Sequence, residues 1–318
     1  MTDPPVAIGV DVGGTGTKAA LVSRAGEVLG RMERPTEPHA GTKGIIGVVE
    51  DLMRRATELA VRVEAVGVGA AGFVNSETGA ITFSPNLTYD DPQVKAALES
   101  RVGLPVVVDN DANAAAWGER AFGSAAGSDH VTLLTLGTGI GSGVIVDGRL
   151  IRGFTGAGAE LGHTIVDPDG PECPCGLRGC LEQLASGNAI ARMAKEWVAD
   201  DPQSSIVSFA GSVGSITSEH VAKAARELDE TARSVLRLAG KALGIGLSNV
   251  VNIFDPEVIV LAGSVVGAGE PYLGPARDEL ARMNTAQRRR PMRLDVTTLG
   301  GDAGILGAAA LALEEAPR

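Results

Sequence analysis

Twice in this chain a short apolar run ends in a glycine turn and returns at once as a second apolar run, and no other feature restricts the fold as much. The first copy is residues 7–11, the turn Gly13-Gly14-Thr15-Gly16, and the return at residues 17–23. The second is residues 131–136, the turn Gly137-Thr138-Gly139-Ile140-Gly141-Ser142-Gly143, and a return through VIVDGRL. A strand that folds back through such a turn is a hairpin. Phosphate loops of the P-loop and Rossmann kinds feed a strand into a helix instead, and neither signature is present. Using one device twice predicts two related α/β halves, not a short-period repeat.

The remainder of the chain fits two such halves. Ile45, Val48, Val49, Leu52, Met53, Ala56 and Leu59 recur at helical spacing and predict a helix over 43–60. Strands are expected at 65–74 and 105–109, and a helix at 112–122. Past residue 180 the chain reads as helical, with long helices at 181–200 and 229–252 and a Ser/Gly-rich loop or helix entry at 202–218. A strand at 258–262 opens into Gly263-Ser264. Another at 294–299 leads to Gly300-Gly301-Asp302 and an Ala-rich helix; both glycine breaks are places where an adenosine can lie. The expected division is a small lobe of residues 1–115 joined by the C-terminal helix at about 303–318, and a large lobe of residues 116–302 that carries the cysteine segment.

With 318 residues, 44% of them hydrophobic, the chain can bury two cores. Its net charge of −11 argues against nucleic acid and anionic membranes as partners. Glycine is abundant at 43 residues while aromatics are 3%, so ligands are approached by backbone more than by aromatic platforms. No basic leader precedes the first strand, and no run reaches the roughly 18 apolar residues of a membrane span. The three cysteines lie together between 173 and 180, which predicts a reducing cytoplasm and a metal site or free thiols instead of a disulfide framework.

Four segments carry chemistry. Asp11 at a strand end, followed by Gly13, Gly14, Thr15 and Lys18, can hold hydrated Mg²⁺ and turn backbone N–H groups toward phosphates; an ordinary glycine hairpin has the same look. Asp109-Asn110-Asp111 stands where a strand meets a helix, at the edge where α/β folds bind ligands. Phosphoryl transfer to an alcohol needs a placed carboxylate to take the proton, and Asp111 with Asn110 beside it suits that role, although Asp and Asn are also common helix caps. His163, Cys173, Cys175 and Cys180 make a Cys₃His set suited to structural Zn²⁺, the alternative being free buried thiols. Such a metal would pin the loop carrying Glu160 and Glu182, carboxylates able to accept bonds from sugar hydroxyls or to stand as solvated surface charges. One ring nitrogen of His163 could face a sugar while the other binds zinc.

Taken in order, DVGGTGTK, VDNDANAAAWGE, LGTGIGSG, GAGAELGH and CPCGLRGCLE resemble the ROK family of sugar kinases and sugar-responsive repressors. The resemblance runs from residue 7 to about 310. It implies an actin-like ATPase (ribonuclease H-like) fold of two lobes with a cleft, assembled as a homodimer or homotetramer. It implies Asp111 as catalytic base, zinc on His163, Cys173, Cys175 and Cys180, and sugar contacts from Asn86, Asn110, Asp111, Glu160, His163 and Glu182. ATP with Mg²⁺ would meet Asp11, Gly13, Gly14, Thr15, Lys18, Thr138, Gly139 and Gly263. The chain most resembles the members that phosphorylate the 6-hydroxyl of glucose; fructose, mannose, N-acetylmannosamine and allose are the alternative substrates. Gly16 stands where many members have lysine, a variation shared with polyphosphate-using members, so polyphosphate is an alternative donor. A non-catalytic regulator is the remaining alternative; family repressors carry a helix-turn-helix region first, and here the strand expected at residue 7 leaves no room for one.

Overall fold

A computed structural model of the protein describes residues 5–14, 16–36, 41–84, 87–284 and 292–315. The chain forms two compact units: Met1–Leu133, Gly143–Ala159 and Thr297–Arg318 make the first, Leu134–Ser142 and Glu160–Val296 the second. Thr15 and Asn86, expected above at the nucleotide and the sugar, lie outside the described residues.

The first unit begins β1 (Val6–Val12), β2 (Gly16–Ser23), β3 (Val28–Pro35), α1 (Gly41–Glu58) and β4 (Val63–Ala70). It continues with a small hairpin, β5 (Phe73–Val74) and β6 (Ile81–Phe83), then α2 (Val94–Val102), β7 (Val106–Asn110) and α3 (Asp111–Phe122). Its sheet has the order β3-β2-β1-β4-β7. Strands β1 to β3 form an antiparallel meander, and β4 and β7 run parallel to β1.

Alternation along the strands decides what covers each face. Val6, Ile8, Val10 and Val12 point to the side where Ile45, Val48, Val49 and Leu52 of α1 and Val94 and Leu98 of α2 pack. Ala7, Ala20 and Ala65 point to the other side and meet Ile305, Leu306 and Ala309 of the last helix. Small residues there let that helix approach by its backbone. A methyl at Gly67 would lie 1.8 Å from the Ala308 carbonyl oxygen.

After α3 come β8 (Val131–Leu136), β9 (Ile140–Val146) and β10 (Arg149–Leu150), then α4 (Leu181–Ala185), α5 (Gly187–Trp197), α6 (Ser205–Ala210) and α7 (Ser218–Arg226). The 25-residue α8 (Glu230–Phe254) follows, then β11 (Val258–Ala262), α9 (Glu270–Met283), β12 (Arg293–Val296) and α10 (Ala303–Glu315). The second sheet has the order β10-β9-β8-β11-β12. The unit boundary passes through β8 and β9, so their glycine turn belongs to the second unit.

Several elements differ from the sequence expectation. The helix expected over 181–200 is broken at Ser186, whose extended backbone (ψ 170°) ends α4 and whose hydroxyl accepts the Ala189 N–H to start α5. The stretch 202–218 holds a short helix, α6, capped by Ser204 and stopped at Gly211 in the left-handed region. The strand expected over 65–74 ends at Ala70, and β5 turns into its own hairpin. Among the described residues no helix is long and apolar enough to cross a membrane.

Candidate functional site

In the first unit, Asp11 sits near the end of β1, opposite Lys18 across the hairpin and beside Gly69 of β4. Gly69 is in turn opposite Asp109 of β7, so β4 separates the two acidic strand ends. A methyl at Gly69 would stand 3.5 Å from the Asp111 Cα and 3.0 Å from the Ala114 methyl. The missing side chain keeps the ground between Asp11 and Asp111 open.

The triplet Asp109-Asn110-Asp111 divides its labour. Asp109 is buried, accepts from Arg152 Nε at 2.7 Å and from Asn113 Nδ2 at 2.9 Å, and is thereby neutralised. Asn110 takes the helix-capping role: its Oδ1 accepts from the N–H groups of Ala112 (2.8 Å) and Asn113 (3.2 Å), while its Nδ2 donates to the Gly72 carbonyl. Asp111 opens α3 without capping it and pairs with no cation among the described residues; its Oδ1 accepts the N–H of Ala112 at 3.0 Å. Burial raises its carboxyl above the ordinary range, against the pull of that N–H. Asp11 is pushed up to about 6, first by burial and then by the charge of Asp111, with Lys18 opposing. Two carboxylates therefore share one poorly solvated spot. The start of α10 closes it, since a methyl at Gly304 would meet the Asp11 Oδ2 at 2.7 Å.

The first glycine turn is closed by Gly13 N–H donating to the Gly16 carbonyl at 3.0 Å, with Gly14 exposed beside it. Lys18 Nζ lies 3.2 Å from where a methyl on Gly301 would be. The Gly300–Asp302 turn, expected to lie along an adenosine, is thus packed beside Lys18 in the first unit and held there by a bidentate Arg31–Asp302 pair.

In the second unit the turn Gly137-Thr138-Gly139 meets the start of α5: Gly187 N–H donates to the Gly137 carbonyl at 2.8 Å, and Asn188 N–H to that of Thr138 at 3.3 Å. A cavity of about 970 Å³ opens there, lined by Thr138, Gln183, Asn188, Lys195, Thr217 and Ser264 among others. A neighbouring cavity of about 470 Å³ shares Thr217, Ser218 and Ser264 and is walled by Ile190, Leu236 and Val265. Polar rim and apolar recess suit a ligand with charged and flat parts. Gly263, at φ 93°, turns the chain from β11 so closely over β8 that a methyl would lie 2.4 Å from the Leu136 oxygen. Glu182 is beneath the turn, its Oε2 accepting the Ile140 N–H at 2.9 Å, and Gly139 leaves room for that carboxylate.

His163, Cys173, Cys175 and Cys180 offer ligand atoms that all lie within 4.8 Å of one another. Cys175 and Cys180 sulfurs are 3.6 Å apart, and Cys173 Sγ is 3.6 Å from His163 Nδ1. That sulfur separation is too long for a disulfide and close to the roughly 3.8 Å that tetrahedral thiolates at about 2.3 Å from Zn²⁺ would have. The donor set fits zinc. Two turns bring it together: Cys173 N–H donates to the Leu177 carbonyl, Gly176 N–H to that of Cys173, and Gly179 allows passage over Asp167. Cys180 is the residue before α4, so a metal there fixes the helix that carries Glu182 and Gln183. Glu160 is half-buried just before the single helical turn that presents His163, and its carbonyl accepts the His163 N–H.

The candidate residues therefore gather in three groups: Asp11, Lys18 and Asp111 in the first unit, Thr138, Gly139, Glu182 and Gly263 in the second, and the cluster of His163, Cys173, Cys175 and Cys180 that could hold a metal. Sequence reasoning missed Arg152, far along the chain from the Asp109 it neutralises, because pairing through a fold leaves no local spacing. It also missed Tyr89, whose surroundings only the tertiary structure assembles.

A model of the ROK family matches residues 7–315. The glucokinase of Streptomyces coelicolor is 39% identical over 316 residues, covering 98% of each chain. That of Thermotoga maritima is 38% identical over 314 residues, covering 96% of this chain and 97% of its own. The crystal structure of a ROK family glucokinase from Streptomyces griseus, in complex with glucose and AMPPNP, superposes with a TM-score of 0.83 at 41% identity, covering 97% of this chain and 99% of that one. Structural neighbours of this kind have the actin-like ATPase fold expected from the sequence. The chain belongs to the ROK family.

Proposed function

We propose that this protein is a glucokinase, transferring the γ-phosphoryl group of ATP to the 6-hydroxyl of D-glucose. The observation that carries the reading is Asp111: a poorly solvated carboxylate at a strand–helix junction, relieved of capping by Asn110 and of ion pairing by Asp109. A carboxylate with a raised affinity for protons is a better base toward an alcohol than a solvated one. The full-length relatives named glucokinase, one of them holding glucose and an ATP analogue, support the substrate pair.

In this reading the Asp111 carboxylate accepts the 6-hydroxyl proton as that oxygen attacks the γ-phosphorus. The bond from the γ-phosphorus to the bridging oxygen breaks, and ADP leaves. Gly13, Gly14, Lys18, Thr138 and Gly139 hold phosphates, and Gly263 with the apolar recess holds the nucleoside. Bound Mg²⁺ supplies charge neutralisation; Asp11 would hold it through water, and a carboxylate crowded by Asp111 fits a divalent cation. Zn²⁺ held by His163, Cys173, Cys175 and Cys180 would have four protein ligands, no open position for catalysis, and a structural role. His163 turns Nδ1 toward the cluster, which leaves Nε2, with Asn110, Glu160 and Glu182, for sugar hydroxyls. The cytoplasm and a homodimer or homotetramer complete the proposal; light scattering on purified protein tests the latter.

The test is a kcat/KM panel over glucose, fructose, mannose, N-acetylmannosamine and allose, with ATP and polyphosphate as donors, for wild type and Asp111→Ala. Glucose with ATP is expected to give the highest value. Asp111→Ala should lower kcat by at least about 10³-fold while glucose still binds. Near-normal turnover in that variant removes Asp111 as the base. Equal rates on several hexoses remove the glucose label but not the kinase.

A further inference from the structure

Tyr89, between β6 and α2 in the first unit, is an unassigned polar group. Its loop is fastened to the start of α1: Thr42 Oγ1 donates to the Asp91 carbonyl, Lys43 pairs with Asp90 at 2.9 Å, and Gly41 is flat against Thr88 and Tyr89, where a methyl would sit 2.7 Å from the Tyr89 Cα. The ring packs on the hydrophobic core of the first unit. The hydroxyl, though buried, has no hydrogen-bond partner among the described residues. The contrast is with Tyr272, the other tyrosine of the chain, which is fully buried and donates to the Ala185 carbonyl at 2.8 Å. Burial and then the charge of Asp111 push the Tyr89 phenol up to about 12, so the hydroxyl stays protonated and lies within the field of the proposed base.

A buried hydroxyl with nothing to bond costs stability, and a fold that keeps one leaves a donor available to a ligand. We propose that Tyr89 is a sugar-contacting specificity residue: its buried, unpartnered hydroxyl donates to a hydroxyl of the bound hexose and helps set which hexose the site accepts. This rests on the hexose-kinase reading and extends it to a residue outside the motifs. A site built to pair with a hydroxyl discriminates against sugars that lack it or turn it away, because the buried partner is then left empty.

The experiment is Tyr89→Phe, with glucose and each monodeoxyglucose titrated by calorimetry against the full-length protein. Glucose affinity should fall about tenfold with kcat changed less than about threefold, and the ligand-free variant should be no less heat-stable than wild type. For one deoxyglucose the wild type and variant should bind alike, which identifies the contacted hydroxyl. In wild type labelled at the tyrosine ring carbons, which gives two tyrosine environments, glucose should shift the Tyr89 signal and leave that of Tyr272 in place. Unchanged glucose affinity in the variant, or an unshifted Tyr89 signal, overturns the proposal. A uniform loss for every sugar together with lower heat stability overturns it too, as a packing role. Wild type that binds and phosphorylates no hexose defeats the underlying kinase reading instead, and is recognisable before any variant is made.

Discussion

Asp11 shows how a single residue can be kept against the interest of the fold. Its carboxyl is pushed from 3.8 to about 6 by burial and by the neighbouring Asp111 charge. Because the folded value is the higher one, the folded protein holds a proton that the unfolded chain releases between these pH values. The linkage therefore makes stability fall as pH rises from about 4 to 6, and the loss is complete above pH 6. Its ceiling is about 3 kcal/mol, from about 1.4 kcal/mol per pH unit. Asp11→Asn should thus raise the urea midpoint of ligand-free protein at pH 7.5 by the equivalent of about 1–3 kcal/mol and change it little at pH 4. The same substitution should abolish turnover if Asp11 carries the Mg²⁺–nucleotide. A variant less stable than wild type at pH 7.5 would show that Lys18 and neighbouring groups already compensate the charge.

At the scale of the element, glycine acts oppositely according to what lies over it. On α10, a methyl at Gly307 would fall 1.6 Å from the Ala114 carbonyl oxygen of α3, so the helices meet backbone to backbone. Gly307→Ala gains about 1 kcal/mol of helix propensity but forces those helices apart, costing about 3 kcal/mol or more. At Gly47, inside α1, an added methyl would meet, among the described residues outside its own turn of helix, nothing nearer than the Arg34 guanidinium at 4.0 Å. Gly47→Ala should stabilise by about 0.5–1 kcal/mol. Denaturant midpoints of the pair check the argument, and shifts of one sign in both would refute it. The cysteine segment makes a separate prediction. Elemental analysis should find about one zinc per chain. Cys175→Ser should lose the metal and, because Cys180 leads into α4, raise hydrogen exchange through α4 and the Gly137–Gly139 turn whose Ile140 N–H Glu182 holds. Metal-free protein with unchanged exchange there would separate the metal from the turn.

For the whole molecule, what the sequence made legible and what it did not have different physical origins. The two glycine hairpins, the α1 stripe and the metal quartet were readable because period, turn chemistry and ligand type are local. Asp111 was readable as the candidate base, with helix capping the alternative for it and for Asn110; the structure gives the cap to Asn110 through two backbone N–H groups. Arg152 was invisible, since its partners Asp109 and Glu315 stand 43 and 163 residues away. That arginine joins the end of β7, the segment after β10 and the end of α10, all in the first unit. Removing it strands a carboxylate whose side chain is 6% exposed, and breaking a buried pair on one side costs about 3–5 kcal/mol. Arg152 is itself 25% exposed, so the lower end of that range applies. Arg152→Ala should lower the stability of the first unit by about 3 kcal/mol and speed hydrogen exchange in β7 and the end of α10 together. Asp109→Asn in the same chain should restore most of the loss, because a neutral amide needs no cation. If the double variant is no more stable than Arg152→Ala, the arginine acts through packing of its stem and not through the charge it neutralises.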